Sequence, residues 1–530
     1  MVADPTDPRE RKALLALAAT AFTFRFALLL LPRVMRWDEP VYLLLGRNLW
    51  SGLGFSFSGH PELHHSPLFP LLAGATLKLL GRPEAASDFW YVLLGALLTL
   101  PVYGLARRLT GHGGAMLAAA LVAFFPALTT AVLYWGTMIE PLFLCLLYTA
   151  AYVVAKGLDR ESPMLFSLAG ALTGLAFLAR PEGVLWMASL EGAAFLVWAL
   201  RGRLKELRTL AALAVLPLVF LAVAAPQLLF LRRHTGRWMI SGKVGITYEI
   251  GRAIETADPV LYDEIVNTLD ADGEIRAASD ARYQRGDAGT GAVQPAEASG
   301  RFLRNLGHVL KSSLTSEIFS ALLLVPAAWW LLRGPWSRQR LEGEILLVAT
   351  IAPVASFLAF HVQQRFFAPA FPGLLIWTAA GLQDFFRRLP VGRFRLATAT
   401  AGVLALAGYI LWADVEIARH GIATSDFGHE EAGLWLKVHS APDAKIMTQD
   451  TAISVYADRG YVFSPRAPLD RFLAYGRRHG ATHVVVDETE VTVVRPFLQP
   501  FLTSPPPGLA PLWTARDGHV GRTLVFGVSP

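Results

Sequence analysis

Residues 67–80 read PLFPLLAGATLKLL, and whether this run crosses a bilayer decides the side on which every later segment lies. It is apolar but only 14 residues long, short of the roughly 18 to 20 that a helical crossing needs. The basic tracts break the tie, because Lys and Arg accumulate in short cytoplasmic loops. Arg9, Arg11 and Lys12 precede a first apolar run at 13–31 and place the N-terminus inside. If 67–80 stays on the far face, the next span, 85–105, ends inside at Arg107-Arg108, and the basic tracts at 156–160, 201–208, 333–340 and 387–395 all fall inside as well. A crossing would put every one of them outside. The run is therefore expected to form a surface or re-entrant helix.

Working outward, further apolar spans are expected at 113–131, 139–155, 162–179, 183–200, 209–231, 317–333, 342–360, 366–386 and 396–413. With the first two they make about eleven crossings, each near the length a bilayer requires. The bulk agrees: 53% of the 530 residues are hydrophobic and 17% charged, against roughly 25% charged in soluble domains, and the mean hydropathy is +0.41. The fold class expected is mainly α, a polytopic membrane helical bundle in the cell membrane. The net charge of +6 does not indicate a nucleic-acid partner, because the basic residues sit in short tracts between apolar runs and report orientation. Cys145, the single cysteine, lies inside an apolar run, so no intrachain disulfide or cysteine metal site arises. The run after Lys12 has no small-residue cleavage site and reads as an uncleaved span.

On the outer face this topology places the 34–82 loop, the 134–140 turn, residues 180–183, a long loop at 232–316, residues 361–365 and everything after Trp412. Residues 1–414 are thus expected to form the membrane domain and 415–530 a small extracytoplasmic α/β domain. In the latter, a helix-like segment at 430–439 leads into 444–448, and two strand-like runs at 461–463 and 483–487 flank a helical stretch at 471–479, an alternation that suggests parallel pairing. It shows no catalytic motif. Residues 286–300 read as a mobile linker. Residues 236–243 (GRWMISGK) mix Trp238 with cations, and read equally as an interface anchor or as a ligand-covering loop contributing Lys243.

Several polar residues on that face could carry chemistry. In Trp37-Asp38-Glu39-Pro40 the adjacent acids do not share a helix face, so they have separate jobs, and both also suit a helix N-terminus. Glu140 is a carboxylate at the edge of a span, costly there and a functional candidate, or an acid favoured by a helix dipole. Arg180, with Glu182 beside it, and Arg365 have the fork that binds phosphate, or snorkel to headgroups. His64 and His65, with Glu62 nearby, lack the i, i+4 spacing of zinc ligands on a helix. A divalent cation, magnesium or manganese, could instead bridge Asp38 or Glu140 and a phosphate.

Asp38-Glu39 after the first span, a Gly-rich turn, and His65-Ser66-Pro67-Leu68 opening a short apolar helix that ends at Gly81 resemble the first outer loop of C-type glycosyltransferases, in the subgroup of protein O-mannosyltransferases and aminoarabinose or galacturonate lipid transferases. Arg180-Pro181-Glu182-Gly183 and Arg365-Phe366-Phe367-Ala368-Pro369-Ala370 recur at the corresponding places, so the resemblance covers roughly residues 10–415. It implies transfer of a sugar from a polyprenyl-phosphate carrier to a protein, lipid or glycan acceptor on the outer face, among membrane lipids. It also implies that Asp38 is the base or acceptor-orienting group, with Glu39 supporting it, and that Glu140 is a second acidic position. The family often carries Lys-Pro-Pro-Leu where this chain has His65-Ser66-Pro67-Leu68, so a phosphate-pairing lysine is replaced by a histidine, and Arg180 or Arg365 is expected to take that role. His64, Glu182 and Lys243 are expected to support the site. The competing reading is a transporter or flippase of a lipid-linked saccharide, against which stand the absence of an inverted repeat and the crowding of polar candidates on one face.

Overall fold

The computed structural model describes residues 7–270, 272–275, 295–314, 319–334, 336–390 and 392–529. The first helix, α1 (Pro8–Leu28), starts on a proline whose missing N–H costs nothing there, with the Asp7 carboxylate accepting from Arg9 N at 2.8 Å. Then come α2 (Asp38–Trp50), a short hairpin of β1 (Ser56–Phe57) and β2 (His60–Pro61), and α3 (Leu68–Leu80), which stops at Gly81 in the left-handed region, φ +68°. The run at 67–80 is thus a helix of 13 residues, with Leu79 and Leu80 exposed. Its contact with α2 is unusually close. A Cβ on Gly46 would lie 2.4 Å from the Pro70 carbonyl oxygen and 2.7 Å from Gly74 Cα, so the two helices cross backbone on backbone and only glycine fits.

The chain continues through α4 (Pro83–Leu97), α5 (Thr99–Leu109), α6 (His112–Phe124), α7 (Thr130–Trp135), α8 (Glu140–Arg160), α9 (Pro163–Ala179), α10 (Gly183–Arg201) and α11 (Leu207–Thr235). Among the described residues, 7 helices are long and apolar enough to cross a membrane: Pro83–Leu109, Glu140–Arg160, Gly183–Arg201, Leu207–Thr235, Arg338–Ala359, Gln364–Arg388 and Arg395–Ala423. α1, α6, α9 and Ala321–Leu332 stand at the other expected crossings; they are shorter or more charged. Residues 317 and 318, the start of the span expected at 317–333, lie outside the described residues. The basic tracts meet in space: Arg108 pairs with Asp159 at 2.7 Å, Arg201 with Glu342 at 2.6 Å and with Asp159 at 3.7 Å. One end of the bundle is therefore tied by ion pairs between three of the tracts and Glu342, just beyond a fourth.

The loop after α11 is more ordered than its composition suggests. It forms α12 (Val244–Glu255) and α13 (Pro259–Asn267), the latter capped by Asp258. Of the expected linker at 286–300, residues 286–294 lie outside the described set, while 295–300 belong to the helix Pro295–Leu314, which corrects that part of the reading. Glycine and charge were misleading there because Arg301 is fully buried, donating to the Tyr248 carbonyl at 3.0 Å and lying 3.9 Å from the Tyr248 ring.

The helix Arg393–Ala423 carries the chain past residue 414 into the C-terminal part. There β3 (Lys445–Thr448), β4 (Gly460–Phe463), β5 (His483–Asp487), β6 (Leu509–Asp517) and β7 (Gly521–Val528) form one sheet in the order β4-β3-β5-β7-β6. The β4-β3-β5 half is parallel, as the alternation of strands and helices predicts; the β7-β6 half is an antiparallel hairpin that the sequence reading did not contain. This domain is locked to the membrane part. Arg495, fully buried, holds Asp263 of α13 at 2.6 Å; the Tyr456 hydroxyl accepts from Met35 N at 3.0 Å; and Phe57 of the first hairpin stacks on Tyr461.

Candidate functional site

Asp38 is the first residue of α2, and the turn before it is strained: Trp37 has φ +54°, a region that a bulky residue adopts only when its surroundings impose it. What imposes it is visible on the next residue. Glu39 is fully buried, its N–H donates to the Gly136 carbonyl at 2.9 Å, and its carboxylate takes two bonds from Arg33, at 2.9 and 3.1 Å, and one from the Ser87 hydroxyl. Arg33 also pairs with Asp88 at 2.6 Å. Glu39 therefore pins the start of α2 to α4 and the α7–α8 turn, outside the cavity, while its neighbour Asp38 enters the cavity.

That cavity gathers Asp38 and Tyr42 from α2, His64, His65 and Ser66 from the loop before α3, Thr137 and Glu140 at the start of α8, Arg180 at the end of α9, Lys243, and Arg365 with Phe366. His65 lies between two acids, with Nε2 3.7 Å from Asp38 Oδ1 and Nδ1 3.3 Å from Glu62 Oε1. Burial opposes its charge, but Glu62 and Asp38 outweigh it and raise its pKa to about 9. The ring is therefore held as a cation at neutral pH and puts a positive charge on the cavity wall. His64 goes the other way: burial, then the charges of His65 and Lys243, hold it neutral.

Arg365 Nη1 lies 3.6 Å from Asp38 Oδ2, with its Nε donating to Gln363 at 2.9 Å. Burial would raise the Asp38 pKa, but His65, Arg365 and Lys243 hold the carboxyl far below the usual range. Arg180 is buried against the rings of Phe143 and Phe366, 3.7 Å from Glu140 and 3.6 Å from Glu182. Glu182 stands behind Arg180 and does not line the cavity. Burial lowers the Lys243 pKa, partly offset by Glu182 and Asp38. Four basic groups, His65, Arg180, Lys243 and Arg365, thus face two acids, Asp38 and Glu140.

The two readings of 236–243 divide along its length. Trp238 and Ile240 are exposed, with Arg232 over the Trp238 ring at 5.9 Å, while Gly242 N donates to the Leu63 carbonyl at 3.2 Å and brings Lys243 into the cavity. Sequence reasoning missed Tyr42, Ser66, Thr137 and Phe366. Tyr42 was findable, since it lies one turn after Asp38 on the same helix face. So was Thr137: Thr137-x-x-Glu140 has the spacing of a capping box, and here the hydroxyl donates to Glu140 Oε2 at 2.6 Å. As for metals, Asp38 already faces two cations, which disfavours a divalent ion beside it. Among the described residues, the one group of three with ligand spacing is Asp426, His429 and Asp450 in the α/β domain, where His429 is paired to Asp450 at 2.9 Å and Asp487 at 3.3 Å.

Residues 64–230 match the family of dolichyl-phosphate-mannose-protein mannosyltransferases, a segment containing His65, Glu140 and Arg180 but neither Asp38 nor Arg365. No curated protein sequence matches the chain. Among solved structures, the archaeal oligosaccharyltransferase AglB from Archaeoglobus fulgidus, in complex with an inhibitory peptide and a dolichol-phosphate, is similar with a TM-score of 0.59 and 15% identity, over 91% of this chain and 70% of that one. ArnT from Cupriavidus metallidurans bound to undecaprenyl phosphate is similar with a TM-score of 0.56 and 13% identity, over 97% of each chain. A further structure of the A. fulgidus enzyme, in complex with Zn and sulfate, has a TM-score of 0.55 at 16% identity, over 97% of this chain and 73% of that one. The fold is that of the C-type membrane glycosyltransferases, as the sequence resemblance implies.

Proposed function

We propose that this chain is an integral-membrane glycosyltransferase that moves a sugar from a polyprenyl-phosphate-linked donor to a hydroxyl-bearing acceptor, with Asp38 as the base. The observation that carries the reading is the cavity itself, in which one carboxylate is held at 3.7 Å from His65 and 3.6 Å from Arg365, with two further basic side chains on the walls.

The charge balance suits the reaction. A sugar phosphodiester carries one negative charge, and the departing polyprenyl phosphate carries two. Groups that respond to the added charge stabilise the transition state more than the bound donor, which is what accelerates the step. His65, Arg180, Arg365 and Lys243 are the candidates, the arginines through bidentate contacts. In the step, the acceptor oxygen bonds to the anomeric carbon as the bond from that carbon to the phosphate oxygen breaks, and the acceptor proton goes to Asp38. At rest Asp38 is a weak base because its cationic neighbours stabilise the charged form. A donor phosphate that draws Arg365 and His65 onto itself relieves that stabilisation, so that the base becomes effective once the donor is bound. Glu140 orients Arg180, and Glu39 holds the start of α2 in place.

These basic groups can meet a lipid phosphate without a divalent ion; where magnesium or manganese does enter, Glu140, with no cation closer than Arg180 at 3.7 Å among the described residues, is the more suitable oxygen ligand. The ion pairs joining Arg108, Asp159, Arg201 and Glu342 support one orientation for the bundle, with those tracts and the N-terminus cytoplasmic and the cavity and α/β domain extracytoplasmic. The acceptor, protein, lipid or glycan, is left open by the cavity. The flippase reading is the weaker one, because the ionisable groups converge on one cavity. The test is transfer of sugar from a synthetic polyprenyl-phosphate donor by purified protein in detergent; donor turnover with wild-type protein and a loss of at least about 10²-fold with Asp38→Asn is expected, and no turnover with any lipid-phosphate sugar would overturn the reading.

A further inference from the structure

The helix that carries Asp38 has a second face. At about 100° per residue, Leu43, Leu44 and Arg47 lie on the side of α2 away from Asp38 and Tyr42. They wall a groove that is completed by Leu77 and Lys78 of α3 and by Lys437 of the α/β domain. The floor is Gly74, at the backbone crossing of α2 and α3. The catalytic cavity and this groove are therefore on opposite sides of one helix.

We propose that this groove binds an anionic phospholipid, its phosphate on Lys78, Lys437 and Arg47 and an acyl chain along Leu43, Leu44 and Leu77. Charge complementarity names the ligand. The groove holds three basic side chains against one acid, Asp458, which is paired with Arg47 at 3.4 Å. Lys78 and Lys437 are exposed and have no carboxylate within 4 Å among the described residues. The Lys78 ammonium lies 5.8 Å from the Trp50 ring, whose indole N–H closes α2 on α3 by donating to the Leu71 carbonyl at 2.9 Å. The surroundings name the phase. Leu79 and Leu80, next to Lys78, are 84% and 50% exposed, and α3 is a helix too short to cross. An exposed apolar helix end flanked by Trp and Lys belongs at the boundary between acyl chains and headgroups. A lipid seated there would bear on the same helix as Asp38 without entering the cavity, and the inference stands whether or not the transfer reaction does.

The test uses the full-length protein, stripped of lipid in mild detergent and titrated with phosphatidylglycerol or phosphatidylcholine under native mass spectrometry. Wild-type protein is expected to retain phosphatidylglycerol in preference to phosphatidylcholine. Lys78→Gln and Lys437→Gln, exposed positions that leave the fold intact, are each expected to lower that retention by about fivefold, in line with the attraction of a basic side chain near anionic headgroups. Leu77→Trp, which fills the groove without changing its charge, is expected to lower it as well. Equal retention of the two lipids by wild-type protein, or retention unaltered in all three variants, overturns the proposal and leaves only lipid bound around the helices.

Discussion

His65 Nε2 lies 3.7 Å from Asp38 Oδ1, and the same ring is braced from behind by Glu62 at 3.3 Å. An acid that faces the cavity and an acid that does not thus hold one imidazole charged between them. The proposed chemistry depends on that charge, and so do several measurable properties.

Replacing Asp38 with Asn keeps the side-chain shape and removes the base. Turnover is expected to fall by roughly 10²- to 10⁴-fold, the range for loss of a general base, while donor affinity is retained. Full activity in Asp38→Asn would end its assignment, and lost donor binding would recast it as a donor ligand.

The pH dependence has a definite sign. The folded pKa of His65 is raised to about 9 from an ordinary 6.5, so its contribution to stability is full below about 6.5 and is lost as pH rises through 9. Donor affinity is expected to decline across the same interval, and His65→Gln is expected to remove that limb of the profile. A donor-binding curve in wild-type protein that stays flat from pH 7 to 10 would contradict a charged His65 at the phosphate.

Arg180 and Arg365 are expected to contribute to donor binding through charge-assisted hydrogen bonds, worth about 1.5–3 kcal/mol each. Arg180→Ala and Arg365→Ala should therefore weaken the binding of a polyprenyl phosphate by about tenfold or more. Binding by wild-type protein is expected to weaken with added salt, and less steeply in the variants. Unchanged affinity in both would assign the two arginines to structure.

Glu39→Ala leaves Arg33 facing Asp88 alone in a buried setting. Breaking a buried pair from one side costs about 3–5 kcal/mol, so a marked drop in thermal stability in detergent is expected, larger than for Asp38→Asn. Melting at the wild-type temperature would mean that Glu39 does not hold α2 in place.

How much of this was legible beforehand differs by element. The spans were readable because each is a long apolar run, and the helix at 67–80 was readable as a shorter apolar run of its own. The division within Asp38-Glu39 was readable in outline from helix geometry, since adjacent residues point apart. The partners Arg33, Ser87 and Asp88 were not, because they reach Glu39 from other segments. Residues 295–300 read as linker, yet they open the helix Pro295–Leu314, which Arg301 anchors through its burial against Tyr248, a partner from a distant segment. The β6–β7 hairpin was missed for a related reason: β6 is an edge strand in which the side chains alternate weakly between buried and exposed, with Leu512 exposed and its neighbour Trp513 packed inward against Trp435.

By itself the sequence determined the membrane bundle, the order of its spans, the short helix at 67–80 and the set of ionisable residues worth examining, because hydrophobic length and charge asymmetry act locally along the chain. Only the tertiary structure decided the charge of His65, the weak basicity of Asp38, the separation of Glu39 from the cavity and the two faces of α2. Those properties depend on which charges come within 4 Å of one another and on how much water remains, and both are set by segments far apart in the chain.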